Sequence, residues 1–222
     1  MGVEWKLLVD PQGRSGIENM AADAALLDEA HRSGAHFLRL YRWDPPTLSI
    51  GRNQSIEGVG RDGVPTVRRP TGGQAVWHEH EVTYAVAAPI ATFGSLRGAY
   101  REIHAWLANA LRSLGVDASL AMPPPVPPSG RPAACFAASA GGEILVNHRK
   151  LVGSAQVRRR DAFLQHGSIL LDGSQAIVSA GGETTLASVL KRPVSFAEVA
   201  AAITAAWGEP LRPSALASLA AE

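Results

Sequence analysis

Val67-Arg68-Arg69-Pro70-Thr71-Gly72-Gly73-Gln74-Ala75-Val76-Trp77-His78-Glu79, with Glu81-Val82-Thr83-Tyr84-Ala85-Val86 close behind, organises the reading of the whole chain. Two guanidinium groups lead into a Gly-Gly turn, and the turn leads into two apolar, β-rich runs. Adjacent glycines let a backbone come close to a ligand and present N–H groups to an anion. Arginines beside such a turn add forked donors suited to carboxylate or phosphate. An ordinary hairpin turn with solvated arginines is the competing reading. His78 and Glu79, directly after the next strand, point toward a site.

Working outward, Val64 to Arg69, Ala75 to His78 and Val82 to Ala87 are expected to form one sheet around the turn. Val3 to Val9 reads as a first strand, turned by Pro11-Gln12-Gly13. Ser15 and Glu18 make a capping box. The helix they open is expected to bury Ile17, Met20 or Ala21, Ala24 and Leu27, and to stop at Gly34. Phe37 to Tyr41 and Thr47 to Ile50 are strands joined by Asp44-Pro45-Pro46, and Gly51 to Gly63 is a loop. Ser95 caps a helix carrying Leu96, Tyr100, Ile103, Leu107, Leu111 and Leu114 at helical spacing, ended by Gly115. His104 and Trp106 lie off that stripe and read as structural or surface residues. Met122 to Pro132 holds six prolines, so it is an extended loop. Glu143 to Val146, Leu151 to Val157 and Phe163 to Leu171 are further strands, the first two turned by Asn147-His148-Arg149. Ser195 and Glu198 repeat the capping box before Phe196, Val199, Ile203 and Trp207. Many strands with a few helices imply a mixed sheet with flanking helices, an α/β or α+β layer fold.

Composition sets bounds. The chain has 222 residues, 46% hydrophobic and 18% charged, with a net charge of +1. We read one domain, residues 1–222, with a substantial core. The charge gives no sign of nucleic acid or membrane as a partner. One cysteine excludes an internal disulfide and fits a cytoplasmic, reducing setting. No secretory leader or membrane-length apolar run is visible. Lys6, Lys150 and Lys191 are the lysines among 21 basic residues, which leaves eighteen arginines. A chain so rich in arginine that keeps Lys150 inside a motif-like strand directs attention to that amine.

The ordered motifs extend the argument. Arg68-Arg69-Pro70-Thr71-Gly72-Gly73, His78, Lys150-Leu151-Val152-Gly153-Ser154-Ala155-Gln156 and Gln165-His166-Gly167-Ser168 together resemble the lipoate–protein ligase and octanoyltransferase family. Asn19-Met20-Ala21-x-Asp23, Thr47-Leu48-Ser49-Ile50-Gly51-Arg52-Asn53-Gln54 and Pro193-Val194-Ser195-Phe196 add to the likeness, which spans nearly the whole chain. Gln74 and Glu79 depart from it, standing where the family usually has Gly or Arg and Asp. The resemblance implies the biotin/lipoate protein ligase catalytic fold. It makes Lys150 the central active-site amine, a compact point charge able to stabilise a phosphate or a developing acyl oxyanion. It places His166 and Gly167 along an acyl pocket, with Gly153, Ser154 and Ala155 as small flanking residues and His78 as a pocket-orienting group. It further implies that Cys135, fifteen residues before the lysine (150 − 135), is the nucleophile used by one octanoyltransferase branch. A cation nearby favours the thiolate form.

Two mechanisms follow from the resemblance. In a transferase, Cys135 takes an octanoyl group from acyl carrier protein and passes it to a lysine of a lipoyl carrier domain, the glycine cleavage H protein or a 2-oxoacid dehydrogenase E2; no cofactor is needed. In a ligase, free lipoate, ATP and Mg²⁺ form an adenylate between the Arg68–Gly73 turn and Lys150. No His/Cys/Asp cluster has metal-ligand spacing. Arg158-Arg159-Arg160 reads as a solvated loop or as a contact for an acidic carrier. A non-catalytic ligand-binding domain is the reading from another class.

Overall fold

A computed structural model describes residues 3–57, 59–121, 142–178 and 182–216. The proline-rich stretch Met122 to Pro132 and Cys135 lie outside the described residues. The main sheet has eight strands in the order β11-β1-β2-β6-β10-β9-β8-β7. These are β1 (Trp5–Arg14), β2 (His36–Trp43), β6 (Glu81–Pro89), β7 (Ser119–Leu120), β8 (Ile144–Val146), β9 (Arg149–Arg159), β10 (Ala162–Leu170) and β11 (Leu211–Pro213). The first two contacts, β11 with β1 and β1 with β2, are parallel, and the rest are antiparallel. A second sheet joins β3 (Thr47–Ile50) to β4 (Thr66–Arg68) and β5 (Val76–His78) in the order β4-β3-β5. The strands flanking the Gly-Gly turn, β4 and β5, therefore share the small sheet, while β6 joins the large one, so the single sheet the sequence suggested for all three does not form. β2 and β3, separated only by Asp44-Pro45-Pro46, part into different sheets.

Helices cover both faces of the large sheet. On one side lie α2 (Leu96–Ser113) and α4 (Phe196–Ala206), packed over Val82, Tyr84, Val86 and Ala88 of β6. On the other lies α1 (Gly16–Ser33), over Ala85 and Ala87 of the same strand. Strands buried on both faces lose the simple apolar–polar alternation of a half-exposed sheet, and all nine residues of β10 are buried. A short α3 (Leu186–Leu190) follows the sheet.

The expected caps form, with one difference. Ser15 and Glu18 make the full reciprocal box, and Gly34 ends α1 in the left-handed conformation. Ser195 accepts from the Glu198 N–H, but the Glu198 carboxylate turns to Arg192, so that box is half formed. The buried stripe of α1 also differs from the expected one. Ile17 is 74% exposed, and the buried residues are Gly16, Asn19, Met20, Asp23, Leu26, Leu27, Glu29 and Ala30. Asn19 and Asp23 occupy the inner face because a buried arginine on β2 requires them. Asn147 and His148 both have positive φ, which gives the two-residue hairpin between β8 and β9 the twist such a turn needs. Glycine is required at Gly51, where a Cβ would stand 2.0 Å from the Gly73 carbonyl oxygen. The loop after β3 is thus pressed against the Gly-Gly turn.

Candidate active site

A cavity opens between α1, the small sheet and the β9–β10 pair. Met20, Tyr41, Trp43 and Val76 give it an apolar wall. Gly153, Ala155 and Gly167 line the opposite side with little or no side chain. The small residues leave the volume that larger ones would fill.

Two histidines border the cavity, each backed by a carboxylate. His166 Nδ1 is 2.8 Å from Asp23 Oδ2, and its Nε2 is 2.7 Å from Thr71 Oγ1. His78 Nδ1 is 2.8 Å from Glu81 Oε1, and its Nε2 is 2.7 Å from Ser49 Oγ. In the neutral tautomer that donates through Nδ1, each ring accepts the hydroxyl proton at Nε2. Trp43 stacks flat on His78, with ring centroids 3.9 Å apart, and its indole N–H donates to Thr83 Oγ1 at 2.7 Å. The Thr83 hydroxyl and, at 2.9 Å, the Ser168 hydroxyl also bind Glu81. Ser49 and Thr71 are fully covered, so these chains fix the rings and the polar wall in place.

Behind His166 lies the network that sequence reading missed. Arg39 is completely buried. It donates to Asp23 Oδ1 at 3.0 Å and to Asn19 Oδ1 at 2.7 Å, and reaches Asp10 Oδ2 at 3.4 Å. Its guanidinium lies 3.8 Å from the Tyr41 ring centroid, and the Tyr41 hydroxyl donates to Asp23 Oδ2 at 2.8 Å. Burial and the adjacent Asp23 charge push the Tyr41 phenol well above its ordinary range. Asn19 and Asp23 stand four residues apart, one helical turn, and that spacing was the available signal for a shared polar face.

The opposite face of β9 carries a different cluster. His104 of α2 is fully buried; its Nδ1 is 2.6 Å from the Gly142 carbonyl and its Nε2 is 2.9 Å from Ser154 Oγ. Tyr84 Oη is 2.7 Å from the same serine oxygen. Burial lowers the His104 pKa to about 4, with the positive charge of Lys150 a smaller influence in the same direction. A residue that read as structural or surface from its place off the apolar stripe is therefore interior.

The candidate residues thus fall into groups. Arg69, His78, Gly153, Ser154, Ala155, His166 and Gly167 border the one cavity. Arg69 donates to the carbonyls of Gly72 and Gln74 and to the Ser49 carbonyl and hydroxyl. Arg68 is exposed and its Nη1 holds the carbonyls of Gly51, Arg52 and Gln54. Both arginines therefore brace the loops, where the sequence suggested an anion fork. Gly72 and Gly73 border a separate open cleft with Asn53, Gln54 and Gln74. Lys150 is buried at the start of β9 and does not border the cavity. Cys135 is outside the described residues.

The chain matches the family model described as the lipoyl protein ligase A/B catalytic domain over residues 15–208. It belongs to that family. It is 45% identical to octanoyltransferase LipM of Kyrpidia tusciae over 76% of this chain and 66% of that one. With octanoyltransferase LipM of Symbiobacterium thermophilum it shares 38% over 95% of this chain and 88% of that one. For the Carboxydothermus hydrogenoformans LipM the figures are 41%, 75% and 65%. The chain thus spans about two thirds of the length of the first and third of these relatives. Among solved structures, a lipoate-protein ligase A bound with ATP superposes with a TM-score of 0.79 at 23% identity, covering 100% of this chain and 93% of that one. A chain from an archaeal lipoylation system of Thermoplasma acidophilum gives 0.72 at 19% identity, covering 99% and 91%. These two likenesses establish the fold. Among the described residues, no helix is long and apolar enough to cross a membrane.

Proposed function

We propose that the chain moves an octanoyl group from an acyl carrier protein thioester to a lysine of a lipoyl carrier domain, such as the glycine cleavage H protein or a 2-oxoacid dehydrogenase E2. The observation that carries this reading is the likeness to octanoyltransferases along nearly the whole chain, 38% identity over 95% of its length. The cavity supports it. Its apolar wall of Met20, Tyr41, Trp43 and Val76 suits a slim alkyl chain.

In this reading the Cys135 thiolate attacks the thioester carbon. A new carbon–sulfur bond forms, and the carrier leaves as its thiolate and takes a proton. The acceptor amine then attacks the same carbonyl, the bond to Cys135 breaks, and the proton lost by the amine returns to sulfur or to solvent. Lys150 serves as the compact cation near the developing charge. An ATP-dependent ligase is the second reading, favoured by the open cleft of Asn53, Gln54, Gly72, Gly73 and Gln74. Against it, the Arg69 part of the anion fork that an adenylate would use is already taken up by protein oxygens. Intact-protein mass spectrometry decides between them. Wild-type protein mixed with octanoyl-acyl carrier protein alone should gain one octanoyl mass, removable by hydroxylamine and absent from Cys135→Ser, because a serine hydroxyl is scarcely ionised near neutral pH. Modification of the carrier domain by Cys135→Ser that requires ATP and Mg²⁺ would overturn the transferase reading.

A further inference from the structure

The Lys150 ammonium has a built-in counterion. Nζ donates to Glu143 Oε1 at 2.5 Å, and each residue is only 3% exposed. Taking two charges out of water is unfavourable unless their geometry is well held. Several features of this fold hold it. Glu143 directly precedes β8, and β8 pairs with the start of β9, where Leu145 stands opposite Lys150. The register shifts between Ile144 and Leu145, so that two steps along β9 answer one along β8. Such a bulge re-aims a side chain relative to the regular pleat. The far edge of Lys150 is also tied down: its N–H donates to the Gly182 carbonyl, and its carbonyl accepts from the Thr184 N–H.

A second tether acts on the residue beside Glu143. His104 Nδ1 binds the Gly142 carbonyl, and its Nε2 binds Ser154 on the strand that carries Lys150. Helix α2 thereby joins the stem bearing the carboxylate to the strand bearing the amine. Of the other titratable groups here, His104 is held neutral by burial, and the Glu183 carboxylate turns away to Gln175 and Ser174. Glu143 is the anion that answers Lys150.

We propose that Glu143 is a positioning residue for acyl transfer, acting through Lys150 by holding the amine in a fixed direction. This rests on the reading of Lys150 as the cation of the transfer reaction. Nothing in the sequence motifs marked Glu143, because its role depends on a bulged pairing.

The test is octanoyl transfer to a lipoyl carrier domain by wild type, Glu143→Gln and Glu143→Asp. The glutamine variant keeps the shape and loses the charge. It should lose kcat by roughly tenfold or more with the donor KM within about twofold, the pattern of an interaction used in the transition state. The aspartate variant keeps the charge and should recover part of that kcat. An unchanged kcat in the glutamine variant, or an aspartate variant no faster than the glutamine one, overturns the proposal. If the glutamine variant fails to fold, the aspartate variant carries the test: it should show reduced kcat at nearly the wild-type donor KM, and a raised KM at wild-type kcat overturns the proposal. Absence of transfer by the wild type would sink the functional reading and this inference with it. Active wild type with an indifferent Glu143→Gln sinks the inference alone.

Discussion

His166 and His104 sit on opposite faces of the β9–β10 pair and are treated in opposite ways. His166 faces the cavity with a carboxylate at Nδ1 and a hydroxyl at Nε2. His104, carried by α2, faces the sheet with a backbone carbonyl at Nδ1 and the Ser154 and Tyr84 hydroxyls at Nε2. On the cavity side, buried charge is met with buried charge, through Asp23 and Arg39. Around the His104 ring itself, the hydrogen-bonding partners are neutral groups. The cavity face is therefore sensitive to the loss of a partner, and the helix face is sensitive to the gain of a proton.

The largest effect should come from breaking the cavity face. Asp23→Ala leaves Arg39 wholly buried without its closest anion and removes the His166 partner at the same time. Removal of one partner of a buried ion pair costs about 3 to 5 kcal/mol, and the urea midpoint should fall accordingly. A loss below about 1 kcal/mol would mean that Asn19 and Asp10 alone satisfy the guanidinium.

The next effect sharpens the contrast from the helix side. The folded His104 pKa of about 4 lies below the ordinary histidine value of about 6.5. The unfolded chain therefore binds more protons between those values, and stability falls as pH drops through that window. A tenfold change in proton affinity is worth about 1.4 kcal/mol, so the total is on the order of a few kcal/mol. Thermal melting of wild type and His104→Gln from pH 7 to pH 4 isolates this contribution by difference. Parallel curves would remove His104 as its source.

The smallest effect should be Thr71→Val. It deletes one hydroxyl from the His166 chain, at about 1 kcal/mol. Chemical denaturation measures it directly; a loss as large as that of Asp23→Ala would make the Gly-Gly turn, and not the ion pair, the anchor of this face.

What the sequence disclosed depended on range. Ser15 with Glu18, Gly34, and Asn147-His148 are local signals with local causes, and the structure carries each of them. The inner stripe of α1 was misread at Ile17, because hydrophobic periodicity treats Asn19 and Asp23 as outward-facing. Their true partner, Arg39, lies a helix away and cannot be inferred from spacing. Leu211–Pro213, paired in parallel with Trp5–Leu7, went unread for the same reason: a three-residue edge strand has no periodicity of its own. The small walls of the cavity, Gly153 and Gly167, were legible through the family likeness. The commitment of Arg69 to protein oxygens was not, since a donor pattern does not reveal which acceptors the fold will bring to it.

Arg39 also bears on how the chain assembles. The groups around its guanidinium come from Asp10, Asn19 and Asp23, and Asp23 in turn holds His166, 143 residues further along. A state in which α1 has not docked keeps only Asp10 of these partners, with water in place of Asn19 and Asp23. The N-terminal helix and the strand bearing His166 are thereby tied to one another through Asp23, despite their distance along the chain.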